Sequence, residues 1–226
     1  MLDDFLSLFF PRICVGCDKA LVKQEKWLCI SCDYKMAKTH LSFGNQGFLA
    51  EKFYGRLYLK HAWAYYLFNK YARIQHLLHK MKYHNMPELA EMVGEKLGLA
   101  LSSSEEEFQV DVIVPVPLHK AKLRRRGFNQ SEHFARGVAT YVGWEVLSDC
   151  VFRIKNTDTQ TLKSRTQRWI NVNDIFEVSN PESLKEKHVL LVDDVITTGA
   201  TIEACGQVLS EVNLASLSIA AMAALK

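Results

Sequence analysis

No stretch of this chain approaches the ~20 consecutive apolar residues that a membrane span requires. The N-terminus also lacks the parts of a secretory leader. It reads Met1-Leu2-Asp3-Asp4-Phe5-Leu6-Ser7-Leu8-Phe9-Phe10-Pro11, with two acids where a leader carries cations and no small-residue cleavage site. The expectation is a short amphipathic helix stopped by Pro11, packed on the adjoining domain, with no membrane insertion. Net charge is scarce as well: 28 Lys and Arg against 25 Asp and Glu leave a formal +3. That is too little to argue for nucleic acid, so any such argument must rest on where the cations sit. Apolar residues are plentiful, at 48% against 23% charged, which describes a soluble globular protein with a sizeable core. A length of 226 residues fits one α/β domain plus a small appendage.

Four of the six cysteines fall into one pattern, Cys14-x-x-Cys17 and Cys29-x-x-Cys32. Each C-x-x-C sets two sulfurs on one tight turn, and two such turns can enclose a tetrahedral Zn²⁺. Two disulfides, or a redox C-x-x-C, are the alternatives. The missing leader and the leftover Cys150 and Cys205 argue against an oxidising compartment, and two copies so close together favour metal. With every position filled by thiolate no coordination site stays open, so the zinc is expected to be structural. Cys150 and Cys205 sit in apolar contexts and read as core residues.

Residues 33–50 lack periodicity and read as a connection, with a boundary near residue 50. His61 to Phe68 is an aromatic, β-prone run. Ile74, Leu77, Leu78 and Met81 then recur at helical spacing. Pro87 opens a second helix carrying Leu89, Met92, Val93, Leu97 and Leu101. His76, His79 and His84 have no carboxylate or cysteine partners at ligand spacing and read as helix-face residues. Lys80 and Lys82 end the first helix, where a lysine can meet a diphosphate or simply face solvent.

Val110 to Val114 is a buried-type strand, and Pro115 and Pro117 stiffen the loop after it. There follows Lys120-Ala121-Lys122-Leu123-Arg124-Arg125-Arg126-Gly127-Phe128-Asn129-Gln130-Ser131, with five cations in seven positions. Gly127 frees the backbone, and Asn129 or Ser131 can cap the next helix. Cations beside the N–H groups of a helix start would neutralise a diphosphate. A polynucleotide backbone or a plain basic surface patch fits the same chemistry.

Glu145 to Phe152 reads as a further strand, and Phe176 with Val178 as a returning strand or hairpin arm. The polar, basic segment between them is long for an α/β connection, which suggests a lid. Ala215 to Ala223 is a closing apolar strand.

The stretch that organises the rest is His188 to Thr201. Val189 to Val192 is apolar without alternation, as in a parallel strand buried on both faces. Asp193 and Asp194 follow at the end where open α/β sheets bind ligands. Thr197-Thr198-Gly199-Ala200-Thr201 then precedes a helix over about Ile202 to Glu211. Backbone N–H groups with threonine hydroxyls suit a phosphate, and the paired acids suit vicinal sugar hydroxyls. A solvated Asp pair with Thr201 as an ordinary cap is the alternative.

This run resembles the PRPP-binding signature of type I phosphoribosyltransferases. Together with P-V-P-L-H-K-x-K-L-R-R-R-G-F-N-Q and the two upstream C-x-x-C pairs, in that order, the chain resembles the ComF family of competence-associated, phosphoribosyltransferase-like proteins. The resemblance implies an α/β type I phosphoribosyltransferase fold, with a central mainly parallel sheet flanked by helices (51–226) behind a small four-cysteine zinc domain (1–50). It implies PRPP with Mg²⁺ as ligand. Asp193 and Asp194 would accept the ribose hydroxyls, Thr197, Thr198, Gly199, Ala200 and Thr201 would hold the 5′-phosphate, and Val116, Pro117, Lys120 and Arg126 would face the diphosphate. The family pattern R-x-x-x-T-x-x-Q and R-x-x-N is matched by Arg153, Thr157, Gln160, Arg168 and Asn171, so Arg153, Gln160, Arg165 and Arg168 are expected in the lid. Asp158-Thr159 departs from the proline that many relatives carry before the glutamine. A cytoplasmic location and a link to DNA uptake are implied too. The expected activity is phosphoribosyl transfer with diphosphate release; no residue identifies the acceptor or the oligomeric state. The competing reading keeps the fold as a non-catalytic adaptor for single-stranded DNA or a competence helicase.

Overall fold

The computed structural model describes residues 10–39, 47–69, 73–155 and 175–226. The helix expected at the extreme N-terminus, and Thr157, Gln160, Arg165, Arg168 and Asn171 of the expected lid, lie outside the described residues.

Five parallel strands form the central sheet: β1 (Ala62–Phe68), β2 (Val112–Pro115), β3 (Glu145–Val146), β6 (His188–Ile196) and β7 (Ser216–Leu225). They lie in the order β1-β7-β6-β2-β3. β4 (Val151–Arg153) and β5 (Phe176–Val178) make a separate antiparallel pair. The helices are α1 (Ile30–Lys35), α2 (Phe48–Glu51), α3 (Arg73–Tyr83), α4 (Glu88–Ser102), α5 (Lys120–Arg126), α6 (Gln130–Val142) and α7 (Ala200–Ser210).

The unalternating apolar run of β6 has the expected cause. Leu190 and Val192 enter a core with Trp63, Leu97 and Phe134, whereas Val189 and Leu191 enter a second core with Phe53, Ile202 and Leu209. Successive side chains point to opposite faces, so a strand covered on both sides must be apolar throughout. β6 does not stop before the acids, as the run suggested, but continues through them to Ile196. The long β7 supplies pairing that far, with Ile196 opposite Ala224. The strand expected over Glu145 to Phe152 is two strands. The polar pair Ser148-Asp149 interrupts it, sending β3 to β2 and β4 to β5. The basic stretch after the prolines, expected only as a loop, is the helix α5.

On the first face α4 and α6 approach backbone to backbone through three glycines. A Cβ on Gly94 would stand 2.3 Å from the Phe134 carbonyl oxygen, on Gly98 2.4 Å from that of Val138, and on Gly137 2.2 Å from that of Glu91. This close crossing sets where α6, and therefore its N-terminus, meets the sheet.

The cysteine segment shares the first core: Cys14, Val15, Leu28, Cys32 and Met36 are buried with Trp63, Tyr66, Ile74 and Leu77. Residues 37–39 then lie along β1. Thr39 N donates to Tyr65 O (3.0 Å) and Leu67 N to Ala37 O (2.8 Å), which covers an otherwise open sheet edge. No helix of the described residues is long and apolar enough to cross a membrane.

Candidate functional site

From β2 the chain continues to β3 on one side, and from β6 it continues to β7 on the other. β2 and β6 are neighbours, so the strand order reverses between them, and a crevice opens at their carboxyl ends, where α/β sheets take ligands. A cavity of about 480 Å³ lies there, lined by Val116 and Pro117 from the β2 loop, and by Asp193, Asp194 and Thr201. Four cations from three segments surround it: Lys82 of α3, Lys122 and Arg126 of α5, and Arg153 of β4.

The β2 loop is held by Asn129, which is the N-cap of α6. Its Oδ1 accepts from Ser131 N (3.2 Å) while its Nδ2 donates to Val116 O (3.1 Å). α5 is capped by His119, whose Nδ1 accepts from Ala121 N (3.2 Å), and ends at Gly127 in the left-handed region (φ 85°). Lys122 and Arg126 are four residues apart, so they share the helix face turned to the cavity. Lys120, named from the sequence, stands exposed at the start of α5 and does not line the cavity, and neither do Arg124 and Arg125.

Thr197 to Thr201 bend from β6 into α7 around a small adjoining hollow of about 30 Å³, which they line with Asp193. Gly199 has φ 84°, and a Cβ there would stand 2.8 Å from the Phe53 ring. Glycine is thus required for both its conformation and its packing. Phe53 backs the loop from behind. Close by, Arg56 pairs with Glu203 of α7 at 2.7 Å and lies over the Phe53 ring. Nothing in the sequence around Phe53 signals this buttress.

The two acids are held differently. Asp194 Oδ2 pairs with Lys82 Nζ at 2.7 Å, and its Oδ1 accepts from Val195 N (2.6 Å). Asp193 Oδ1 accepts from Ser131 Oγ (3.0 Å) and from Asp194 N (2.8 Å). Burial, then the negative charge of Asp194, pushes the Asp193 carboxyl up to about 7 against the pull of those bonds and of Lys82. Burial also lowers Arg126 and Arg153, with Asp194 and Asp193 respectively opposing it. Arg153 sits over the Phe176 ring, so the one described residue of the expected lid belongs to the β4–β5 pair and faces the acids.

Asp193 makes stability depend on pH. The folded chain keeps its proton up to about pH 7, whereas an unfolded aspartate releases it near ~3.9. The native state therefore binds more protons between those values, and stability falls as pH rises through that window. Thermal melts from pH 5 to 8 should show wild type losing more stability on that rise than Asp193→Asn. Equal slopes would show that Asp193 titrates normally.

The four knuckle cysteines converge: their sulfurs all lie within 4.8 Å of one another, and this is the cysteine-rich cluster found among the described residues. Cys17 and Cys29 sulfurs are 3.8 Å apart, roughly the edge of a tetrahedron with 2.3 Å metal–sulfur bonds. Backbone N–H groups point at the sulfurs, Cys29 N and Gly16 N at Cys14 (3.3 and 3.4 Å) and Cys32 N at Cys29 (3.3 Å). Burial raises the Cys14 thiol, but the backbone donors of Cys29, Gly16 and Cys17 outweigh it and bring it down to about 7. A soft metal ion such as zinc fits this set. All four cysteines are free, and Cys150 and Cys205 are buried core residues as expected.

A groove of about 530 Å³ runs between the knuckles and α4, and three of the acids that line it are already engaged. Glu25 accepts from Val22 N and Ile30 N, Glu91 pairs with His133, and Asp33 with Lys96 and Lys38. His76, His79 and His84 are exposed on or after α3.

Residues 125–225 match the family described as phosphoribosyl transferase domain. The DNA utilization protein YhgH of Escherichia coli strain K12 is 27% identical over 217 residues, covering 95% of this chain and 91% of that protein. Competence protein F of Haemophilus influenzae is 27% identical over 147 residues, 63% of this chain and 64% of its own. Competence protein ComFC of Bacillus subtilis is 31% identical over 107 residues, 44% of this chain and 38% of its own.

Proposed function

We propose, since residues 125–225 match the phosphoribosyl transferase domain and the chain is similar to competence and DNA utilization proteins, that this chain has the type I phosphoribosyltransferase fold and that its β2–β6 crevice binds PRPP. The observation that carries this is the crevice in which paired acids, a glycine-started helix and four cations meet. Thr197 to Thr201 offer backbone N–H groups and hydroxyls to the 5′-phosphate at the start of α7. Asp193 and Asp194, one step away along β6, accept from the 2′- and 3′-hydroxyls. Val116 and Pro117 border the diphosphate, and Lys82, Lys122 and Arg126 face its charge. Mg²⁺ bound with the diphosphate would supply further neutralisation of the leaving group. Arg153 and the segment that follows would exclude water from the oxocarbenium-like C1′. The four cysteines would hold structural Zn²⁺.

Calorimetry with PRPP and Mg²⁺ tests the reading. Wild type should bind, and Asp193→Asn/Asp194→Asn should lose at least about tenfold in affinity, because two charge-assisted bonds are weakened. Equal affinity in both proteins, or no binding by wild type, would overturn it.

A second reading draws on α5. None of its residues is buried, and Lys120, Arg124 and Arg125 are exposed and do not line the cavity. This outer face suits the phosphate backbone of single-stranded DNA, which fits a role in DNA uptake with PRPP as a regulatory ligand. Binding of single-stranded DNA that weakens steeply with salt and survives loss of the Asp pair would favour it. PRPP-dependent diphosphate release, screened over nucleobases and amines, would favour the transferase.

A further inference from the structure

The knuckles carry a feature that neither a structural metal nor PRPP binding uses. Both have the form C-x-x-C-D, Cys14 to Asp18 and Cys29 to Asp33, and each terminal aspartate bonds outside the knuckle. Asp33 accepts from Tyr66 Oη of β1 (3.0 Å) and pairs with Lys96 of α4 (3.0 Å) and with Lys38 (3.3 Å). Asp18 pairs with Lys80 of α3. Its backbone belongs to the knuckle itself: its N–H donates to Cys14 O (2.9 Å), and it takes the left-handed conformation (φ 57°).

Two residues beyond Lys80, on the same helix, Lys82 pairs with Asp194. Side chains two apart on a helix leave it on nearly opposite sides, about 200° around the axis. Met81 between them is fully buried in the core that also holds Cys14 and Cys32. α3 thus spans from the cysteine cluster to the acids, gripped on one side by Asp18 and reaching the cavity on the other through Lys82.

We infer that the metal centre positions Lys82 against Asp194 through α3, with Asp18 and Lys80 as positioning residues, so that filling the centre strengthens binding of the diphosphate-bearing ligand. This rests on the PRPP reading above. Without the metal the knuckle around Cys14 to Asp18 loses its closure, and the end of α3 is freed. The Asp pair then meets the diphosphate with one cation less, and its repulsion of the ligand rises.

The full-length chain tests this in two measurements. Hydrogen exchange, needing no PRPP, should show α3 amides losing more protection after chelation than those of β6 and β7, whose change reports only the loss of global stability. A loss in α3 no larger than that in β6 and β7 would overturn the coupling, even if wild type bound no PRPP. In calorimetry of the metal-loaded protein, Asp18→Ala should weaken PRPP binding roughly two- to fivefold, the reach of an exposed ion pair. Asp18→Glu should restore it, and Asp18→Ala should change nothing further in a Lys82→Ala background. Chelation should weaken binding about tenfold in wild type. An equal further loss from Asp18→Ala in the Lys82→Ala background would show a structural effect only and overturn the proposal.

Discussion

Gly137→Ala is expected to lower the melting temperature by roughly 6–12 °C, about 3 kcal/mol for a chain of this size. The added methyl would lie 2.2 Å from the Glu91 carbonyl oxygen and 2.9 Å from the Glu95 amide nitrogen. Both are backbone atoms of α4, so no side-chain rotation can relieve the clash, and the helices must part. Parting them opens the core around Val93, Leu97 and Phe134, which are fully buried. The gain in helix propensity on replacing glycine by alanine is only ~1 kcal/mol and does not offset this. The site should respond as well, because α6 begins at its N-cap Asn129, which donates to the Val116 carbonyl, and carries Ser131, which donates to Asp193. Gly143→Ala is the control. Its φ of 73° strains alanine, but nothing lies within 4 Å of the new methyl, so a loss of only ~1 kcal/mol is expected. Urea or thermal melts decide between these outcomes. A Gly137→Ala protein as stable as wild type would mean the two helices are not in backbone contact.

Removing the metal, or replacing Cys32 by serine, should destabilise the whole chain in one cooperative step and not melt a small module first. Cys32 is 1% exposed and shares a core with Trp63, Tyr66 and Leu77, and Asp33 beside it accepts from the Tyr66 hydroxyl. Structural Zn²⁺ sites contribute on the order of 10 kcal/mol to small zinc-dependent folds. Even a third of that, about 3 kcal/mol, would shift the melting temperature by roughly 10 °C. Calorimetric scans with and without chelator, with metal content measured alongside, should show a single transition at lower temperature. Two transitions, with the upper one unmoved, would make the knuckles an independent unit.

The parts of the site that lie together in the chain were legible before folding. An apolar run ending in Asp193-Asp194 and followed by Thr197 to Thr201 can only be a strand, a turn and a helix start. Strand burial, turn chemistry and capping act within a few residues of each other. The same holds for the knuckles, where C-x-x-C spacing places two sulfurs on one turn, and for Asn129 as a cap. Lys120 shows the limit: among five cations in one stretch, only the angular position on a helix of unforeseen extent decides that Lys122 and Arg126 face the cavity while Lys120 does not. The break between β3 and β4 is not visible in the sequence for a related reason. A short run of mixed polarity does not say which sheet will pair with each half.

What the sequence by itself determined, then, is the local chemistry: a strand with paired acids, a turn suited to phosphate, a basic stretch ahead of a capped helix and two turns whose cysteines can hold a metal. Tertiary structure alone decided which distant groups meet them. Lys82 reaches Asp194 from α3, Phe53 presses on Gly199 from just beyond α2, Arg153 comes in from the β4–β5 pair, and three glycines let α4 and α6 touch. Backbone hydrogen bonding and turn stereochemistry are short-ranged along the chain. Ion pairs and close packing depend on separations in space, which residues far apart in sequence acquire only when the sheet and its helices assemble around a common core.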